Sequence, residues 1–136
     1  PSLDAIEALL DELQATLAID PDRIYLTGLS MGGYGAWALA MNAPDRFAAI
    51  APVVGGYFFN PKQLCGLKDK PIWVFGAKRD RNVPLRESER VVNALRACGG
   101  QPRFTVFENA DHDLGWELAY TATELFEWLL QQRRAS

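Results

Sequence analysis

Arg23-Ile24-Tyr25-Leu26-Thr27-Gly28-Leu29-Ser30-Met31-Gly32 joins two different periodicities at a serine. The run from Arg23 to Thr27 is short, rich in β-branched and aromatic residues, and comes after the turn signal Asp20-Pro21-Asp22, which predicts a buried strand. Beyond the serine, Tyr34, Trp37, Ala38 and Met41 recur at helical spacing until Asn42-Ala43-Pro44 stops them. A G-x-S-x-G at a strand-to-helix junction describes a nucleophile elbow, a turn so tight that its flanking positions must carry almost no side chain. Gly28 and Gly32 are the residues expected to meet that need. The same letters also suit a glycine-rich turn in a nucleotide-binding or purely structural α/β domain, so the motif by itself leaves both readings open.

The serine opens the predicted helix, where unpaired N–H groups favour developing negative charge. The backbone N–H of Met31 is therefore the expected donor of an oxyanion hole. A serine hydroxyl also needs a base to take its proton, and the chain holds one histidine, His112. It lies in Glu108-Asn109-Ala110-Asp111-His112-Asp113, just past the strand-like Arg103-Phe104-Thr105-Val106-Phe107. That puts it on a flexible loop at the carboxyl end of a strand, where α/β sheets place their chemistry. In the chain order serine, aspartate, histidine, the acid falls at the end of an intervening strand. Pro71-Ile72-Trp73-Val74-Phe75-Gly76 is such a strand, and Asp80 is the only carboxylate in the loop Ala77-Lys78-Arg79-Asp80-Arg81-Asn82-Val83-Pro84. Asp80 would fix the tautomer of His112 through Nδ1 and leave Nε2 facing Ser30. The plainer alternative makes Asp80 a solvated charge beside Lys78, Arg79 and Arg81.

Four segments resemble one family: Asp22-Arg23-Ile24-Tyr25-Leu26-Thr27-Gly28-Leu29-Ser30-Met31-Gly32-Gly33, Phe47-Ala48-Ala49-Ile50-Ala51-Pro52, Pro71-Ile72-Trp73-Val74-Phe75, and Ala110-Asp111-His112-Asp113. The chain is similar to the C-terminal part of an α/β-hydrolase. Its nearest likeness is to the carboxylesterase/phospholipase-like serine esterases, with the polyhydroxyalkanoate-depolymerase-like and feruloyl esterases and the peptidases of that branch. The resemblance implies that Ser30 is the nucleophile, Asp80 the acid and His112 the base. It also implies cleavage of small-molecule carboxylic esters through an acyl-enzyme, with no cofactor. A peptidase of the same fold, or a non-catalytic interaction fragment, are the alternatives. One departure is visible: such enzymes often carry a histidine before the glycine that ends the third strand, and here Phe75 runs straight into Gly76.

Strands are expected near 23–29, 47–54, 71–76 and 103–108, and helices near 3–18, 32–42, 86–98 and 114–132. The fold class is α/β: a three-layer αβα arrangement on a mostly parallel sheet of about four strands, the C-terminal half of an α/β-hydrolase fold. Residues 1–136 make one partial domain, because a complete hydrolase of this kind needs about eight strands and well over 200 residues. Leu3, Ile6, Leu9, Leu10, Leu13 and Leu17 form the stripe of the opening helix, with Ser2 as its N-cap. The upstream strands and the loop giving a second oxyanion donor are expected from a missing N-terminal half, in the same precursor or a separate chain. The isolated chain is accordingly expected to be incomplete and weakly active.

A net charge of −3 argues against a nucleic-acid partner. No apolar run approaches the roughly 20 residues of a membrane span. One histidine excludes a His-rich metal site, and no metal is expected. Cys65 and Cys98 fit either a disulfide or two separate thiols. Leu85, Val91, Val92 and Leu95 mark the buried face of a helix closed by Gly99-Gly100. For the substrate pocket the candidates are Leu29 beside the serine, Tyr57 and Phe58 in an aromatic loop, and Trp116 four residues after His112.

Overall fold

The computed structural model of the chain describes residues 2–57 and 60–134. Among them α1 (Leu3–Thr16), β1 (Tyr25–Leu29), α2 (Met31–Asn42), β2 (Ala49–Val53), α3 (Pro61–Cys65), β3 (Trp73–Ala77), α4 (Leu85–Ala97), β4 (Arg103–Phe107), α5 (His112–Thr121) and α6 (Leu125–Leu130) succeed one another in order. The strands form one parallel sheet in the order β1-β2-β3-β4. Each strand is laid down on the same side of its predecessor, and right-handed crossovers then put the connecting helices on one face.

Side chains alternate across the sheet and build a core on each face. Ile50, Ile72 and Val74 point to one side, where they meet Trp37 and Leu39 of α2 and Val91, Val92 and Leu95 of α4. Ala49, Ala51, Val53, Trp73, Phe75 and Ala77 point to the other, where they meet Ala119 of α5 and Leu125 and Leu129 of α6. Strands covered on both faces read as continuous apolar runs rather than as alternation, and β2 and β3 are buried at every position. The result is the three-layer α/β sandwich expected.

Three local features differ from expectation. The helix expected over 114–132 is two helices, because Thr123 Oγ1 donates back to the Ala119 carbonyl at 2.6 Å and accepts the Leu125 N–H at 3.3 Å. Side-chain bonds of this kind compete with the helical ladder. A short helix, α3, occupies a stretch that reads as loop; Asn60 caps it through the Lys62 N–H and Pro61 fills its first turn. The apolar stripe of α1 is only partly covered: Ser2 caps the helix as expected and Leu3, Ile6 and Leu10 lean on the first core, but Leu9 and Leu17 are 54% and 57% exposed.

Cys65 and Cys98 are joined in a disulfide, with a Cα–Cα distance of 5.5 Å and a sequence separation of 33. It ties the end of α3 to the C-cap of α4.

Candidate active site

Ser30 stands between β1 and α2 with φ 56° and ψ −116°, a backbone state that L-residues rarely adopt. Its N–H donates to the Val53 carbonyl at 2.9 Å, which anchors the corner to the end of β2. Its carbonyl accepts the N–H groups of Gly33 and Tyr34 at 2.9 and 3.2 Å. A Cβ on Gly28 would lie 2.2 Å from the Gly32 carbonyl oxygen, so the turn cannot close over a side chain there. Gly32 itself differs from expectation, since a Cβ on it would meet nothing within 4 Å. The second tight position is Gly33, where a Cβ would lie 2.9 Å from the Val53 carbonyl oxygen.

His112 is the first residue of α5 rather than part of a flexible loop. Asp111 caps that helix, its Oδ1 accepting the Leu114 N–H at 2.9 Å, so the imidazole projects from a fixed helical start. Nε2 lies 2.9 Å from Ser30 Oγ, and Nδ1 lies 2.6 Å from Asp80 Oδ2. The other oxygen of Asp80, Oδ1, accepts the N–H groups of Asn82 and Val83 at 2.9 and 2.8 Å. With a side chain 1% exposed, this carboxylate needs such partners to be tolerated away from water.

The three side chains come from the carboxyl ends of β1, β3 and β4, a common edge of the sheet. The loops after β3 and β4 are joined by backbone bonds, Lys78 N–H to Phe107 O at 3.1 Å and Arg79 N–H to Ala110 O at 3.0 Å. Because the Asp80 carboxylate accepts, Nδ1 of His112 carries the ring proton, and Nε2 is left to accept from the Ser30 hydroxyl. Asp111 caps its helix, and Asp113 accepts the Trp116 indole N–H at 3.3 Å.

The remaining candidates are spread around this edge and the two cores. The N–H of Met31 opens α2, where no carbonyl one turn earlier can accept it, and the residue is 85% exposed. Leu29 is 37% exposed at the end of β1. Trp116 is half-buried against the second core, and Tyr57 is half-buried against the first. Phe58 lies outside the described residues. Sequence alone does not single out Tyr34, one turn beyond Ser30; burial pushes its phenol up, and the Glu87 carboxylate adds to the effect. Its spacing is that of one more core residue of α2.

A cleft of about 460 Å³ opens beside the imidazole, lined by Arg79, Arg81, Asn82, Asp111, His112 and Asp113. A larger hollow of about 520 Å³ lies far from this edge, between α1 and the end of α2. There Arg46 is paired with Glu7 and Asp11. Among the described residues no group of His, Cys, Asp and Glu could hold a metal ion, and no helix is long and apolar enough to cross a membrane.

Comparison with known proteins adds three kinds of likeness. The model of the dienelactone hydrolase family matches residues 2–117. The chain is 42% identical over 52 residues to poly(3-hydroxyalkanoate) depolymerase C of Paucimonas lemoignei, covering 38% of this chain and 13% of that protein. Among solved structures, a thermostable esterase superposes with a TM-score of 0.89 at 39% identity, covering 97% of this chain and 37% of that one. Arabidopsis thaliana SOBER1 superposes with a TM-score of 0.75 at 21% identity, covering 93% and 60%, a likeness of fold alone. The chain thus spans well under two thirds of the length of each of the first two proteins and 60% of the third.

Proposed function

The chain belongs to the dienelactone hydrolase family, within the α/β-hydrolase superfamily, and from that premise we propose that it is a serine hydrolase of carboxylic esters. The observation that carries the reading is the continuous relay from Asp80 Oδ2 through His112 to Ser30 Oγ, with steps of 2.6 and 2.9 Å. In it Ser30 Oγ attacks the ester carbonyl carbon as its proton passes to Nε2 of His112. The tetrahedral oxyanion is met by the N–H of Met31 at the start of α2, where the helix end adds partial positive charge. Collapse expels the alcohol, which takes the proton from Nε2, and leaves an acyl-enzyme on Ser30. Water then attacks under the same base and releases the acid. Asp80 stays ionised throughout, holding the ring and stabilising the imidazolium.

The reading requires no cofactor. A second oxyanion donor, and the neighbours of the free edge of β1, belong in this proposal to polypeptide beyond these 136 residues. Such a share is in keeping with the 37% of the thermostable esterase that the chain covers. That esterase, at 39% identity, favours ester over amide bonds as the substrate class.

Ser30→Ala in the intact protein tests the reading. Hydrolysis of a short p-nitrophenyl ester and labelling by a fluorophosphonate should both vanish; persistent labelling would refute the assignment. Turnover on matched ester and anilide substrates separates ester from peptide cleavage, with the ester expected to be preferred.

A further inference from the structure

Ser88, in the first turns of α4, is 1% exposed and takes no part in the ester chemistry. Its hydroxyl donates to the Gly55 carbonyl over 2.7 Å, across 33 residues of sequence. Gly55 comes directly after Val54, whose φ is 44°, a conformation that a β-branched residue holds only when its surroundings force it. Those surroundings are visible. The Val54 N–H donates to Phe75 O at 2.9 Å, and a Cβ on Gly55 would lie 2.9 Å from Ser30 O and 3.0 Å from Gly33 Cα. On the opposite side, a Cβ on Gly56 would lie 2.8 Å from Glu87 Cβ. The turn from Val54 to Gly56 is therefore wedged between the Ser30 corner and α4.

We propose that Ser88 is a positioning residue for Ser30, holding the Val54–Gly56 turn in its forced conformation so that the turn braces the serine corner from beneath. The proposal rests on the reading of Ser30 as nucleophile. Ser30 leans on the end of β2 through its N–H to Val53 O, and on this turn through its own carbonyl packed on Gly55. Without the Ser88 bond, Val54 relaxes toward an ordinary φ, Val53 O and Gly55 shift, and Ser30 Oγ leaves the 2.9 Å geometry with His112 Nε2. Ser88 also links α4, which starts directly after the Asp80 loop, to the strand end supporting Ser30. It thereby sets the serine against the histidine.

The test compares Ser88→Ala, Ser88→Cys and Ser88→Thr with wild type and Ser30→Ala in the intact protein. Hydrolysis of p-nitrophenyl acetate and the rate of fluorophosphonate labelling are measured per folded molecule. Ser88→Ala should lower kcat and the labelling rate about 10- to 100-fold, the scale of a misplacement approaching 1 Å. KM should stay within about twofold, because substrate contacts are untouched. Ser88→Thr keeps the hydroxyl and should recover most of the loss. Ser88→Cys, nearly isosteric with a weaker donor, should fall between and serves if the alanine variant does not fold. Unchanged kcat and labelling in whichever of the alanine and cysteine variants is folded overturns the proposal, as does a loss that threonine fails to correct. Failure of the parent reading is distinct, since it appears as activity surviving in Ser30→Ala.

Discussion

Asp80 meets His112 with one oxygen only: Oδ2 lies 2.6 Å from Nδ1, while Oδ1 is committed to the backbone N–H groups of Asn82 and Val83. This division predicts the effect of Asp80→Asn. The amide oxygen must take the Oδ1 place, because two donors already face it, and the amide NH2 then points at Nδ1. His112 is forced to carry its proton on Nε2, the wrong nitrogen for accepting from Ser30. The fold should persist while kcat falls by up to about 10⁴-fold. Steady-state kinetics and ring-nitrogen NMR check both halves; near-normal turnover would place the acid elsewhere.

Gly28→Ala and Gly32→Ala should behave oppositely although both glycines belong to the same motif. A methyl on Gly28 would lie 2.2 Å from backbone, whereas one on Gly32 meets nothing within 4 Å among the described residues. Forced overpacking costs about 1–3 kcal/mol or more, so Gly28→Ala should lower the melting temperature clearly. Gly32→Ala should leave it near wild type. Equal destabilisation of the two would contradict the geometry.

How much of this is legible in the sequence depends on the residue. The strand run before Ser30 is readable from its β-branched and aromatic residues, although β1 is an edge strand and only partly buried, and the apolar faces of α2 and α4 are readable from their helical spacing. The order Ser30, Asp80, His112 is readable because each residue comes after its own strand-like run. The start of α5 is not: Asp111-His112-Asp113 reads as loop, and the capping role of Asp111 becomes visible only once Leu114 is known to be helical. The break between α5 and α6 is hidden because Ala119, Leu125 and Leu129 keep facing the second core across it. Nothing in the spacing of Cys65 and Cys98 distinguishes a bridge from two thiols; the packing of α3 on α4 does.

That bridge should matter to stability and not to turnover. Closing a loop of 33 residues is worth roughly 3–4 kcal/mol through the unfolded state. Cys98 caps the far end of the 13-residue α4, about 20 Å from the end next to the Asp80 loop. Reduction, or a paired Cys65→Ser and Cys98→Ser replacement, should lower the melting temperature markedly. The kcat of the protein that remains folded should change little.

Tyr120 gives the protein an alkaline weakness. Thr27 Oγ1 donates to Ala51 O at 2.8 Å, so the Tyr120 hydroxyl must donate to Thr27 Oγ1, which is 2.7 Å away. Burial pushes this phenol above its ordinary 10.0. Since the folded value is the higher one, the unfolded chain loses its proton first. The contribution is complete below about pH 10 and disappears as the pH climbs through the folded value. Tyr120→Phe should cost about 0.5–1.5 kcal/mol at neutral pH. In urea unfolding, its deficit relative to wild type should shrink as the pH rises above about 10; a constant deficit would remove Tyr120 as the origin.

The backbone bonds Lys78 to Phe107 and Arg79 to Ala110 make the carboxylate and the imidazole travellers on one rigid carriage. The hydroxyl rides separately, across β2. The Ser30 corner and the Asp80–His112 pair are thus held by separate sets of bonds, and twisting of the sheet alters the spacing between them without parting the pair. Mild heat or cosolvent should therefore silence proton transfer from Ser30 well before it parts Asp80 from His112.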